Sequence, residues 1–344
     1  MSSLGDVLLA TPLIRLLRKK FPQSQIDFLV RTEYSDLLRY NPNLSNIIEF
    51  DVRGGFAGLR KLRESIRKNK YNIILDIHKN LRSIYLRFDL NRFSKRHQKV
   101  LIMKKDQIIR FLLVKWKINL YRRHGRIIAV WEKYIRAAKS LKINHDNAGL
   151  ELFLPDSDET KIESFFKKLP IGNWQLVVAP GARHFTKRWL AEYFAEVING
   201  INQKYGLNTI LVGGQDDIAV IDKILASLPS GIAVSSAGGF SIMQTAAIIK
   251  RSSLFVCNDS GLMHVAAAFK KPTIAIFGSS VEELGFFPYN PNAVVLEQKN
   301  LPCRPCSHIG RSKCPKKHFK CMRDILPKQV MSVIKEKSFL KKGS

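Results

Sequence analysis

The residues best placed to do chemistry lie in the run Asn258-Asp259-Ser260-Gly261-Leu262-Met263-His264. It follows an apolar stretch, Leu254-Phe255-Val256-Cys257, that reads as a buried strand, and it opens a helix of small and apolar residues. A strand that turns straight into a helix aims free backbone N–H groups, and the positive end of the helix dipole, at whatever lies in front. That is a seat for an anion such as a phosphate. Gly261 lets a ligand approach the backbone, because no Cβ intervenes. The bland alternative is a turn in which Asp259 or Ser260 merely caps the helix.

Other loops fall at predicted strand ends and could share a site with it. Ala179-Pro180-Gly181-Ala182-Arg183 runs on to Thr186-Lys187-Arg188-Trp189, where Lys187 would be a point charge on phosphoryl oxygens. The alternative is a solvated basic loop with Trp189 in the core. In Gly213-Gly214-Gln215-Asp216-Asp217, a carboxylate such as Asp217 could take ribose hydroxyls or simply cap a helix. Gly238-Gly239-Phe240-Ser241-Ile242-Met243 could frame a base, with Ser241 as a plain N-cap in competition. Gly278-Ser279-Ser280 follows one strand after the Asp-Ser-Gly run.

The amino-terminal half offers Ser2-Ser3-Leu4-Gly5-Asp6-Val7-Leu8-Leu9-Ala10-Thr11-Pro12. Here a glycine turn sets Asp6 before an apolar helix, either as a proton acceptor or as an N-cap. Asp76-Ile77-His78 ends another predicted strand, with Lys79 and Arg82 close by. Those cations could hold a substrate phosphate or be ordinary surface.

The elements that must position these groups alternate between strand-like and helix-like patterns, the signature of α/β layers on parallel sheets. In the first half the expected strands are 25–30, 47–50, 73–77 and 99–103, and the helices 12–20, 34–39, 57–69 and 130–141. In the second half the strands are 176–179, 209–212, 233–235, 254–257 and 273–277. The helices there are 190–205, 217–228, 242–251 and 262–269. Around residues 150–175 a Pro- and Asp-containing stretch with a short charged helix reads as an interdomain connection. The tail, 327–342, carries Val330, Val333 and Ile334 at helical spacing. The expected division is 1–160, 161–326 and a helical basic tail, 327–344. Two doubly wound domains in sequence would place a ligand cleft at their strand C-termini.

Composition narrows the partners. The chain has 344 residues, 57 Lys and Arg against 28 Asp and Glu, and a net charge of +29. Such a field draws polyanions: nucleic acid, anionic lipid head groups or phosphorylated glycolipids. The excess is densest between Arg53 and Arg126. The apolar runs are too short to span a bilayer and no export leader is evident, so the expectation is a cytoplasmic protein. The segment Ile108 to Ile118, flanked by Tyr121-Arg122-Arg123, mixes apolar and basic residues. It reads either as a contact with an anionic membrane face or as a core helix with exposed lysines, the second being the favoured reading. Cys303, Cys306, Cys314 and Cys321 lie within one basic loop. A loop of reduced thiols is the expectation, with zinc or an iron–sulfur cluster as the alternative. Cys257 reads as strand core.

Taken together, the 2–12, 179–182, 186–189 and 258–264 motifs, with Phe277-Gly278-Ser279-Ser280, resemble the ADP-heptose:lipopolysaccharide heptosyltransferases, glycosyltransferase family 9. The resemblance implies a GT-B fold: two doubly wound, Rossmann-like domains facing across a cleft, acceptor on the first and ADP-heptose on the second. It implies inverting transfer with no metal and no cofactor. On that analogy Asp6 is the general base. Lys187 and the amides around Ser260, Gly261 and Leu262 hold the departing diphosphate, and Asp259 and His264 shape the same site. Met243 lies where the family places adenine, Asp217 is a weaker match for the ribose, and Arg82 matches an acceptor-facing position. The partners implied are ADP-heptose, a phosphorylated lipopolysaccharide core acceptor and the inner face of the inner membrane, with no nucleic acid. One departure stands out. Family members begin with a short apolar strand before the Ser-Ser-Leu-Gly-Asp turn, and here Met1 abuts it. The expectation is an upstream true start; otherwise the first sheet lacks a central strand.

Two other classes compete. A nucleic-acid- or anionic-lipid-binding module would explain the charge but leaves the strand-end motifs unused, and no nucleic-acid-binding signature is present. A dinucleotide oxidoreductase would need a Gly-x-Gly-x-x-Gly in its first strand–helix turn, which is missing. A family 9 enzyme using another nucleotide sugar also remains open.

Overall fold

A computed structural model describes residues 3–88, 99–121 and 125–340. Ser2, Arg122, Arg123 and the last residues of the basic tail lie outside the described residues. In chain order the elements are α1 (Leu4–Lys20), β1 (Asp27–Arg31), α2 (Asp36–Arg39), β2 (Asn46–Phe50), α3 (Gly55–Lys68), β3 (Ile73–Asp76), α4 (Leu81–Arg87) and β4 (Lys99–Ile102). Then follow α5 (Gln107–Trp116), α6 (Val130–Ala137), α7 (Asp156–Lys167), β5 (Asn173–Ala179), α8 (Ala191–Tyr205), β6 (Leu207–Leu211), α9 (Ile218–Ala226) and β7 (Ala233–Ser235). The series closes with α10 (Ile242–Arg251), β8 (Leu254–Asn258), α11 (Gly261–Ala268), β9 (Thr273–Phe277), β10 (Ala293–Glu297), α12 (Lys320–Arg323) and α13 (Pro327–Glu336).

The chain divides into two compact units, Met1–Gln107 with Ile128–Phe153, and Ile108–Ile127 with Leu154–Ser344. The division therefore differs from the three contiguous stretches expected. Residues 108–127 join the second unit, which resumes at Leu154 and keeps the tail. The tail stays because α13 packs on α8 and places Val330 and Ile334 in that unit's core.

In the second unit six strands form one parallel sheet in the order β10-β9-β8-β5-β6-β7. The strands are apolar on both faces, with β8 and β9 buried throughout, as a sheet covered by helices on both sides demands. Phe194, Ile198 and Ile201 of α8 are buried against it. Each such side chain contributes about 1.5–3 kcal/mol. The strand order reverses between β5 and β8. That reversal is the position at which open α/β sheets commonly hold ligands, at the strand C-termini.

In the first unit the four strands do not make one sheet among the described residues. β1 pairs with β2 and β3 with β4, both in parallel. A cavity of 720 Å³ lies between the ladders, lined by Ile26–Arg31, by Asn72–Ile77 and by Leu13, Ile14 and Leu17 of α1.

α1 corrects the expectation of a glycine turn followed by a helix from Pro12. The helix starts at Leu4, capped by Ser3, whose hydroxyl accepts from the Asp6 amide at 3.2 Å. Pro12 cannot donate to the Leu8 carbonyl, and the Thr11 hydroxyl does so instead at 2.8 Å. That substitution lets the helix run through the proline. Arg15 then ties α1 to the end of the unit, with 2.9 Å to Asp146 and 3.0 Å to Glu151. The Glu151 amide donates to Thr11 Oγ1 at 2.9 Å.

Candidate active site

The loops of the second unit leave β5, β6, β8 and β9, which are adjacent strands, at their C-terminal ends. At their centre the Lys187 ammonium meets the Asp259 carboxylate at 2.8 Å, both largely buried. The Ser280 hydroxyl donates to the same Asp259 oxygen. Asn258 fixes the β5 loop from beneath: its Oδ1 accepts from the Trp189 amide at 3.0 Å, and its Nδ2 donates to the Pro180 carbonyl at 2.7 Å. Trp189 itself is core, and its indole N–H donates to the Ile325 carbonyl at 2.9 Å. Three motifs separated by up to a hundred residues are thus one constellation.

Ser260 caps α11 by backbone alone; its side chain makes no capping bond. Its hydroxyl, and that of Ser279 on the β9 loop, are buried without a partner among the described residues. Two orphaned hydroxyls beside the amino end of a helix and a buried ammonium make a site short of an acceptor-rich ligand. His264 is buried in α11, one turn in from Ser260 and Gly261, with Leu262 half-buried. The field around Lys187 is strongly positive. Burial, together with Lys187, Arg183 and Arg188, holds the His184 imidazole below its ordinary value.

Asp217 lies in the same neighbourhood. Its carboxylate accepts from the Gly214 amide at 3.1 Å, and a Cβ on Gly181 would come within 2.1 Å of its Oδ1. Gly181 is therefore required by close approach to Asp217, not by its own backbone angles. Burial raises the Asp217 pKa above the usual carboxylate value. Met243 is 2% exposed in the core of α10, so its side chain presents no open face to a base. Ser241 is the N-cap, as the plain reading had it, in a reciprocal bond with Gln244.

In the first unit Asp6 sits in the first turn of α1. Ser3 Oγ donates to its Oδ2 at 2.7 Å, and the Tyr134 phenol from α6 donates to its Oδ1 at 3.3 Å. Burial lowers the pKa of His78, with Asp6 acting in the opposite sense. Asp76 is the last residue of β3. It accepts from the His78 and Lys79 amides, the Ser83 hydroxyl and Arg87 at 2.7–3.1 Å. It therefore builds the turn that presents Lys79 and the exposed Arg82, whose guanidinium lies 5.9 Å from the Phe50 ring centroid.

α5 overturns the core-helix expectation for residues 108–118. Only Leu113 is buried in it, while Ile108 is 77% and Trp116 63% exposed. Lys117 and Asn119 attach the segment to the second unit through the Pro305 carbonyl and Glu283.

The cysteine loop folds against the loops that follow β5 and β9. Arg304 donates to the Gly278 and Ser280 carbonyls; the Thr186 amide donates to the Arg311 carbonyl, and the Arg311 amide donates to the Thr186 hydroxyl oxygen. All five thiols are free, and Cys257 is buried in β8 as expected. Cys303 Sγ lies 3.8 Å from His318 Nε2, and burial pushes Cys321 up to about 12. Among the described residues no three His, Cys, Asp or Glu side chains are gathered as a metal site.

The fold is that of the GT-B glycosyltransferases. More narrowly, the chain belongs to glycosyltransferase family 9 (heptosyltransferase), whose model matches residues 59–317, and it is a glycosyltransferase. It is 24% identical over 336 residues to lipopolysaccharide heptosyltransferase 3 of Escherichia coli K12, covering 90% of each chain. A family 9 glycosyltransferase from Veillonella parvula superposes with a TM-score of 0.79 at 24% identity, covering 98% of this chain and 95% of that one. ADP-heptose lipopolysaccharide heptosyltransferase II of E. coli gives 0.73 at 22% identity, over 98% and 96%.

Proposed function

We propose that this glycosyltransferase moves heptose from ADP-heptose to a phosphorylated acceptor in the lipopolysaccharide inner core, with inversion and without a metal. The observation that carries the reading is the Lys187–Asp259–Ser280 cluster beside the unpartnered Ser260 and Ser279 hydroxyls. The α11 amides at Ser260, Gly261 and Leu262, those hydroxyls and Lys187 bind the diphosphate and take up the charge that grows on it as it departs. Asp259 orients Lys187 and accepts sugar hydroxyls, since a carboxylate repels phosphate. Asp217 serves the ribose. Met243 and His264 support the nucleotide side from within the core.

Asp6 takes the proton from the acceptor hydroxyl while that oxygen bonds to the anomeric carbon. The bond from that carbon to the diphosphate breaks, and ADP leaves with the electron pair. Arg82 draws in an acceptor phosphate. The protein works at the cytoplasmic face of the inner membrane as a peripheral protein. Among the described residues no helix is long and apolar enough to cross a membrane, and α5 offers exposed apolar residues beside Arg110, Lys115 and Lys117.

The test is transfer from ADP-heptose to heptose-deficient lipopolysaccharide, with EDTA present, by wild type and Asp6→Ala. Expected are transfer by the wild type, none by the variant, and equal ADP binding by both. Wild-type transfer by Asp6→Ala removes Asp6 as base. Transfer only from another nucleotide sugar replaces the donor.

A further inference from the structure

We propose that Tyr134 is a positioning residue for the Asp6 carboxylate, a role that rests on the reading of Asp6 as the base. The two oxygens of Asp6 are held separately, Oδ2 by the Ser3 hydroxyl at 2.7 Å and Oδ1 by the Tyr134 phenol at 3.3 Å. An ionised carboxylate offers about four acceptor directions, so two such bonds leave each oxygen able to take a proton.

The two donors are not equivalent. Ser3 is local: it caps α1 and also accepts from the Asp6 amide, so it serves the start of the helix whatever the side chain does. Tyr134 comes from α6, which packs on α1, and is 2% exposed. A buried phenol needs a partner for its O–H, and the carboxylate of Asp6 is the one the structure supplies. This bond fixes the Asp6 side chain against an element 128 residues away. Burial, and then the neighbouring Asp6 charge, hold the phenol well above its ordinary pKa. Tyr134 thus stays protonated wherever the enzyme works. It donates to the carboxylate and never competes with it for the acceptor's proton.

The bond fixes the direction from which the carboxylate meets the acceptor hydroxyl, and a small misplacement of reacting atoms is costly in rate. The other titratable groups facing Asp6 are His78, from the turn after β3, with Lys105 and Asp76 around that imidazole. All of them stay in place when the phenol oxygen is removed.

Tyr134→Phe keeps the ring and its packing. In the full chain, with ADP-heptose and heptose-deficient lipopolysaccharide, kcat is expected to fall about tenfold with KM for the donor within twofold. The melting temperature should be unchanged. Wild-type kcat in Tyr134→Phe overturns the proposal. So does a loss of kcat that comes with a lowered melting temperature and a raised donor KM, because that is a packing defect. Asp6→Asn measured alongside separates the two readings. A full rate in that variant removes the base itself and takes the role of Tyr134 with it. An inactive Asp6→Asn beside a normal Tyr134→Phe removes Tyr134 alone.

Discussion

Lys187 and Asp259 form an ion pair of 2.8 Å that joins the β5 loop to the end of β8, and both partners are largely withdrawn from solvent. Removing one partner leaves the other buried without a countercharge, which costs more than the pair contributes.

Lys187→Ala should therefore weaken ADP binding about tenfold or more, by loss of a charge-assisted contact, and lower the melting temperature as well. Adding Asp259→Asn should restore the melting temperature without restoring ADP affinity. Calorimetric titration with ADP, beside thermal unfolding, checks both. Recovery of affinity in the double variant would mean that Lys187 does not touch the nucleotide.

Gly181 faces Asp217 at a distance no Cβ tolerates. Gly181→Ala should cost about 1–3 kcal/mol by overpacking, read as a lower urea midpoint. Asp217→Ala in the same chain should relieve most of that loss. If the two substitutions are additive, the contact is not the source of the strain.

The Arg15 guanidinium holds the Asp146 carboxyl down to about 2, hydrogen bonding being the leading cause. A depressed carboxylate contributes stability that is fully present above its unfolded value of about 4 and lost as pH falls through its folded one. Wild type should therefore exceed Asp146→Asn in urea midpoint at pH 6. The difference should close between about pH 4 and pH 2. A gap that persists at pH 2 would show that the carboxylate's charge is not what binds α1 to this stretch.

The exposed apolar residues of α5 sit among Arg110, Lys115 and Lys117. Trp116→Ser with Ile108→Ser should reduce sedimentation with phosphatidylglycerol vesicles several-fold, by roughly 1–2 kcal/mol per apolar side chain withdrawn, while ADP binding holds. Unchanged sedimentation would move the membrane contact elsewhere.

The four loop thiols are free in the structure, with Cys321 and Cys257 buried. Native titration with a disulfide reagent should count Cys303, Cys306 and Cys314 quickly, and the buried pair only on unfolding. A chelator that exposes additional thiols, together with stoichiometric zinc or iron by metal analysis, would replace that picture with a metal centre.

Much of the second unit is legible in its sequence because β5, β6, β8 and β9 are apolar runs closed by Gly, Ser or Asp, a pattern that belongs to buried parallel strands. β10 escapes notice because Ala293–Glu297 is a half-buried edge strand with little periodicity. α1 is misread at its start because Gly5 and Pro12 look like breakers. The compensating bond, from the Thr11 hydroxyl to the Leu8 carbonyl, is visible only in three dimensions. α4 carries its own signal in the reciprocal Asn80–Ser83 cap, but its 7 residues are too few to display a helical period. At the site, Lys187 and Asp259 are readable as strand-end residues, but their pairing is not. Asn258 is readable as the head of its motif, but its bonds to Trp189 and Pro180 are not, and Tyr134 looks like one more apolar position of α6, since none of these partners is a sequence neighbour.

The hollow of 720 Å³ beneath α1 bears on the helix that carries Asp6. Leu13, Ile14 and Leu17 line that space, while Arg15 and Thr11 on other faces are riveted to residues 146–151. The direction in which the carboxylate aims is thus anchored by polar fastenings spaced a helical turn apart, so a change at residues 146–151 would reach Asp6 through the backbone of α1.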